Sequence, residues 1–177
     1  HIQVVVDQAY CEFATALEYP EFIADAVAMD NVILLRTFSK VYGLAGVRLG
    51  YAIANAQIIS QLSKIKQPFN VNNLAQAAAL AVLDDKEFIE KTLKINQDGI
   101  KELTDYFKKK QLPFLETQGN FIAVHLGERA ISVVQTLEKK GMIIRSLKSF
   151  AMPEWVRITV GMSEQNSVLI TLLEEEL

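Results

Sequence analysis

Two short runs set the terms for the fold. Residues 2–6 read IQVVV and residues 31–36 read NVILLR, and both are apolar at nearly every position. A strand with one wet face alternates polar and apolar residues. A run without alternation suits a strand covered on both faces, as in a parallel sheet flanked by helices. The first run ends at Asp7 and the second at Thr37, so polar groups are expected at the C-terminal ends of neighbouring strands, where open α/β sheets bind ligands. The chain starts with His rather than Met and enters the first run at once. It is therefore read as part of a longer chain that supplies the remaining sheet neighbours. No basic leader marks this start as a signal peptide.

The remainder alternates helical and extended patterns. A short helix is expected over 20–29, a third strand over 49–54 and a helix over 56–64. Turn chemistry at PFNVNN precedes an alanine-rich helix over 74–83. A long helix over 86–110 carries the apolar stripe Ile89, Leu93, Ile100, Leu103 and Phe107. Glu87–Lys91 and Glu90–Lys94 have the spacing of i,i+4 ion pairs on its wet face. Strands over 121–126, 142–145 and 155–160 then enclose a helix over 129–140 that stops at Gly141. Ser163 is expected to cap a last helix running to the C-terminal residue. The class is α/β. The expected division is a partial large domain with a mostly parallel sheet over 1–85, a connecting helix over 86–110, and a smaller α/β domain over 111–177.

Composition removes several functions. Half of the residues are apolar and the net charge is −3, so a packed core is available and nothing draws the chain to nucleic acid or to an anionic membrane surface. The apolar stretches are too short to span a bilayer. One cysteine and two histidines rule out an internal disulfide and disfavour a zinc site, so no metal is expected. Such cysteine usage fits a reducing, cytoplasmic compartment.

The reactive residues cluster near the strand ends. Asp7 and Tyr10 follow the first run; Thr37, Ser39 and Lys40 follow the second; Arg48 lies across a loop holding Gly43 and Gly46. Singly, each has a bland explanation as a turn, surface or capping residue. Together they supply what pyridoxal phosphate requires. Lys40 offers an amine for a Schiff base, and Asp7 an anion for the ring nitrogen. Tyr10 offers a donor to the phenolic oxygen. Thr37, Ser39 and Arg48 offer hydroxyls and a bidentate guanidinium to the phosphate.

The same segments carry a resemblance. VVVDQAYCEF, TFSKVYGLAGVRLGY, PFNVNNLAQAAA, QGNFIAV, IIRSL and WVRITVG together resemble the C-terminal half of fold-type I aminotransferases, most closely the histidinol-phosphate aminotransferase branch. The resemblance implies that Lys40 is the Schiff-base lysine, Asp7 and Tyr10 are ring ligands, and Thr37, Ser39 and Arg48 are phosphate ligands. It also implies that Arg157 and Arg145 hold the substrate's anionic end and that Asn120 lies near the substrate. The implied reaction is transamination of histidinol phosphate with 2-oxoglutarate by a homodimer. The missing half would supply a phosphate-binding backbone loop, an aromatic that stacks on the ring, and an asparagine. The partner subunit would supply a tyrosine. Two other enzyme readings fit the same motif, an aromatic amino acid aminotransferase and a related decarboxylase. A third is the aminotransferase-like sensor domain of a transcription regulator, which would carry a basic DNA-binding module upstream.

Overall fold

The computed structural model describes residues 2–177. The chain divides into two compact units, the first running to Lys91 and the second Thr92–Leu177. The division falls inside a single helix.

The first unit is built on a three-stranded sheet in the order β1-β2-β3, formed by Val4–Asp7, Val32–Thr37 and Gly50–Ile53. β1 and β2 run parallel, from Val4↔Val32 to Asp7↔Leu35. The helix α1 (Ile23–Ala28) lies between them in sequence and packs its Ala26 against Val32 and Leu34 of β2. β3 runs antiparallel to β2, so only one of the two ladders has the expected direction. The physical reason is the connection. Residues 38–49 form a loop without a crossover helix, and a chain that doubles back so directly pairs antiparallel. β1 also departs from expectation, because Val4 and Val5 are 42% and 56% exposed. Of its apolar run, Val6 packs against the small core while Val4 and Val5 stay exposed.

Two helices follow with matching starts. Asn55 caps α2 (Ala56–Ile65) by accepting the Ile58 N–H at 2.9 Å, and Asn72 caps α3 (Asn73–Asp84) by accepting that of Ala75 at 2.8 Å. The long helix α4 (Lys86–Lys109) starts where the Asp85 carboxylate accepts the Phe88 N–H at 3.0 Å. The ion pairs drawn on its wet face are Lys94–Asp98 at 2.8 Å and Lys101–Asp105 at 2.6 Å. They take the place of the two glutamate–lysine pairs expected nearer the start of the helix, at Glu87–Lys91 and Glu90–Lys94.

The second unit packs around the inner part of that stripe. Leu103 and Phe107 of α4 are fully buried against Ile122 and Val124 of β4 (Phe121–His125) and Val156 and Ile158 of β6 (Trp155–Thr159). Its antiparallel sheet has the order β4-β6-β5. The helices α5 (Ala130–Lys139) and α6 (Ser163–Glu176) complete the core through Val133, Leu137, Leu169 and Leu173. Gly99 permits a close approach: a Cβ there would overlap Val160 Cγ1 and lie 2.8 Å from Asn166 Nδ2. Gly141, at φ +81°, ends α5 as expected.

Two local expectations fail here. β5 is only Arg145–Ser146, because the segment over 142–144 has no strand to pair with. Ile144 is buried and Ile143 is 81% exposed, so the alternation is that of a surface turn segment. Ser163 is the first residue of α6 and Met162 is the cap. The Met162 N–H is held by the Gln165 side chain at 2.9 Å, the reciprocal half of a capping box.

Candidate functional site

The C-terminal ends of β1 and β2 open onto a cleft of about 630 Å³. Asp7, Thr37, Ser39, Lys40 and Arg48 all line it. Five residues spread over 42 positions of sequence thus share one depression, and local turns explain how. The Asp7 carboxylate accepts the Ala9 N–H at 3.0 Å, so the chain bends immediately after β1. The Thr37 hydroxyl accepts the Ser39 N–H at 3.0 Å and donates to the Leu49 carbonyl at 3.3 Å. The Phe38 N–H donates to the same carbonyl at 3.1 Å. These bonds tie both ends of the 38–49 loop together, and Lys40 and Arg48 emerge from its two arms.

Arg48 has a left-handed backbone, φ 57° and ψ 56°. Such a conformation in a residue other than glycine costs about 1 kcal/mol and persists where the surroundings impose it, often at ligand sites. Its Nη1 donates to the Ala45 carbonyl at 2.6 Å, and the side chain stays largely exposed on the cleft wall.

Tyr10 is not part of the cleft lining; its ring lies beneath Lys40, with Nζ 5.0 Å from the centroid. That contact is a cation–π arrangement when the lysine is charged. Below the loop, Phe38 and Val41 are buried and Phe38 packs against the rings of Tyr42 and Tyr51. Burial, and then the Glu12 carboxylate, push the Tyr42 hydroxyl up to about 12. Burial likewise pushes the Cys11 thiol up to about 11. Both groups stay protonated at neutral pH and add no charge near Lys40.

The remaining three candidates belong to the second unit. Arg145 and Arg157 are direct cross-strand partners in the β5–β6 ladder, so their side chains leave the same face of the sheet. Val156 and Ile158 fill the core face, while Arg157 is half-buried over the Phe121 ring at 5.0 Å. Its Nε is buried without a hydrogen-bond partner. Arg145 is exposed over the Phe150 ring at 5.2 Å. Like charges placed directly opposite each other are unfavourable unless an anion lies between them. Asn120, just before β4, accepts the Val160 N–H through its backbone carbonyl at 2.9 Å.

Sequence reasoning passed over Arg36 and Gln8. Arg36 also lines the cleft, and both of its near-side nitrogens reach Gln8 Oε1. The available signal was an arginine closing an otherwise apolar strand. Among the described residues, no group of three or more His, Cys, Asp or Glu side chains is placed to hold a metal ion. No described helix is long and apolar enough to cross a membrane.

Comparison with known proteins gives a consistent result. The family described as "Aminotransferase class I and II" matches residues 1–170. The chain is 43% identical to the histidinol-phosphate aminotransferase of Caldicellulosiruptor saccharolyticus, over 99% of this chain and 49% of that protein. Among solved structures, it is similar to the histidinol-phosphate aminotransferase of Sinorhizobium meliloti in complex with pyridoxal-5'-phosphate. The TM-score is 0.90 at 29% identity, over 98% of this chain and 48% of that one. A putative histidinol-phosphate aminotransferase from Erwinia carotovora gives a TM-score of 0.89 at 30% identity, over 97% and 50%. The chain thus spans about half the length of the relatives it matches, and its α/β fold is that part of the fold-type I aminotransferase fold. With a family match that runs through the cleft and through both arginine strands, this chain belongs to the class I and II aminotransferases.

Proposed function

We propose that the chain is the C-terminal half of a pyridoxal-phosphate-dependent aminotransferase subunit that transfers the amino group of histidinol phosphate to 2-oxoglutarate. The observation that carries the reading is the cleft shared by Lys40, Asp7, Thr37, Ser39 and Arg48. Its donor set fits the cofactor: an amine, a carboxylate, two hydroxyls and a guanidinium match an aldehyde, a ring nitrogen and a phosphate. When bound, pyridoxal phosphate supplies a carbonyl carbon for amine exchange and a conjugated ring that accepts the electrons of the substrate's Cα–H bond.

The residues of this chain have separate tasks in that reading. Lys40 Nζ holds the cofactor between turnovers, then takes the proton from the substrate's Cα and returns it elsewhere as general base and acid. Asp7 keeps a proton on the ring nitrogen. Arg48, Thr37 and Ser39 bind the phosphate, and Tyr10 donates toward the phenolic oxygen. Arg157 and Arg145 orient the substrate by its anion, a phosphate in one half-reaction and a carboxylate in the other, with Asn120 beside them. The unpartnered Arg157 Nε and the facing arginines support an anion at that position. A homodimer in the cytoplasm belongs to the same reading. Its supports are the resemblance and the protein's free thiol, Cys11.

The test uses the full-length protein. After loading with pyridoxal phosphate and reduction with borohydride, peptide mapping should find the pyridoxyl group on Lys40. An adduct on another lysine overturns the site. Histidinol phosphate should be converted far faster than phenylalanine with 2-oxoglutarate as acceptor. Equal rates would favour the aromatic aminotransferase instead.

A further inference from the structure

The β1–β2 ladder stops just where the cleft begins. Asp7↔Leu35 is its last register pair, and the last backbone bond is from the Gln8 N–H to the Leu35 carbonyl at 2.9 Å. Beyond it the strands part. β2 continues against β3 through Arg36↔Tyr51 and Thr37↔Gly50, while the chain after Gln8 turns away into the short 3₁₀ segment Cys11–Phe13. Asp7 and Lys40 therefore depart from a fork that no backbone bond closes.

Side chains close it. Gln8 Oε1 accepts from Arg36 Nε at 3.2 Å and from Nη2 at 2.9 Å. Gln8 Nε2 donates to the Pro20 carbonyl at 3.0 Å. Arg36 Nη2 also reaches Glu21, with its oxygens at 3.1 and 3.3 Å. Gln8 is 3% exposed, and the Arg36 side chain is 15% exposed against 62% for Glu21. The guanidinium thus meets a neutral acceptor inside and its counter-charge at the rim. Buried polar groups satisfied in this way specify one arrangement of the chain.

The neighbours of the pair give it meaning. Gln8 directly follows Asp7, Arg36 directly precedes Thr37, and both flanking residues line the cleft with Arg36 itself. The hydrogen bonds of Asp7 and Thr37 stay on their own sides of the fork. Resting on the cofactor reading above, we propose that Gln8 and Arg36 are positioning residues: a cross-strand clamp that sets the separation between the Asp7 side and the Thr37–Lys40 side of the cofactor site. A shift of about 1 Å in such a site can reduce function about 100-fold, so a half-buried arginine has a use there that an aliphatic residue would not serve.

The experiment compares Gln8→Leu, Arg36→Met and the double variant with Gln8→Glu, which keeps the acceptor for the guanidinium. All are made in the full-length protein. Two quantities are read: the dissociation constant for pyridoxal phosphate by absorbance titration, and amide hydrogen exchange at Ala9 without cofactor. The clamp predicts that both single variants and the double variant bind pyridoxal phosphate at least tenfold more weakly and exchange at Ala9 at least tenfold faster. Gln8→Glu should stay within threefold of the parent on both. The double variant removes both partners together and leaves no orphaned charge inside, so it remains testable if a single variant fails to fold. Binding and exchange within twofold of the parent in the double variant would overturn the clamp, as would a Gln8→Glu variant as impaired as Gln8→Leu. A parent protein that binds no pyridoxal phosphate would overturn the functional reading instead, while exchange at Ala9 would still decide the clamp.

Discussion

The two units differ in how far each completes its own interior. The second has fourteen buried residues in one continuous core, drawn from α4, α5, α6, the strands β4 and β6, and the adjoining Leu126 and Ile144. The first has a continuous buried cluster of only three, Ala26, Val32 and Leu34, with Phe13, Phe38, Val41, Ala75 and Ala79 buried apart from it. Its apolar residues largely face outward: Phe69 is 98% exposed, Leu74 81% and Leu80 68%. The unit with most of the proposed chemistry is thus the one with least packing. The chain spans about half the length of its relatives, and on the reading proposed above the other half covers these residues. The comparison teaches that a reactive constellation and a self-sufficient core need not sit in the same segment.

The largest effect should come from separating the units. Expressed alone, Thr92–Leu177 should unfold cooperatively in denaturant, whereas residues 1–91 should show no cooperative transition. A cooperative first unit would break the comparison. Next, Lys40→Ala in the full-length enzyme should lower turnover by on the order of 10⁴-fold, since it removes the general acid–base group and the covalent anchor together. Steady-state rates would show it, and an unchanged rate would remove Lys40 from the chemistry. In the packed unit, Phe107→Ala should cost about 3–5 kcal/mol of stability, because a fully buried ring leaves a cavity. Urea denaturation of Thr92–Leu177 measures this directly. Arg157→Lys should reduce kcat/KM by roughly 30- to 1,000-fold, or about 2–4 kcal/mol, for histidinol phosphate and glutamate alike. Damage to only one half-reaction would assign the other substrate's anion to Arg145. The smallest effect is expected at Val5→Ala. In the 177-residue chain, where Val5 is 56% exposed, it should cost less than about 1 kcal/mol. A larger cost there than in the full-length protein would contradict the idea that the upstream half covers β1.

Much of the site was legible because its parts are local in sequence. TFSK and the loop to Arg48 carry their own turn bonds, so the motif implies the geometry. Long-range pairings were less legible. Neither the antiparallel direction of β3 nor the Arg145–Arg157 pairing leaves a mark in the composition of either strand. The Gln8–Arg36 bond joins residues 28 positions apart and has no periodic signature. Helices read well where an apolar stripe met a core, as at Leu103 and Phe107. The strand expected over 142–145 shrank to Arg145–Ser146, because alternation reports which side of a segment is wet, whether or not another strand is there to pair with it.

On the proposed reading, the facing arginines of β5 and β6 tie the second unit's stability to its occupancy. In the unliganded sheet the two positive charges oppose each other, and in salt-poor water that repulsion is poorly screened. Any anion that bridges them binds the folded sheet and has no equivalent site on the unfolded chain. By mass action its free energy of binding is added to that of folding, growing with the logarithm of its concentration. If the pair is the proposed anion site, inorganic phosphate alone, with no cofactor and no turnover, should stabilise this unit. Its melting temperature would then gauge how full that site is.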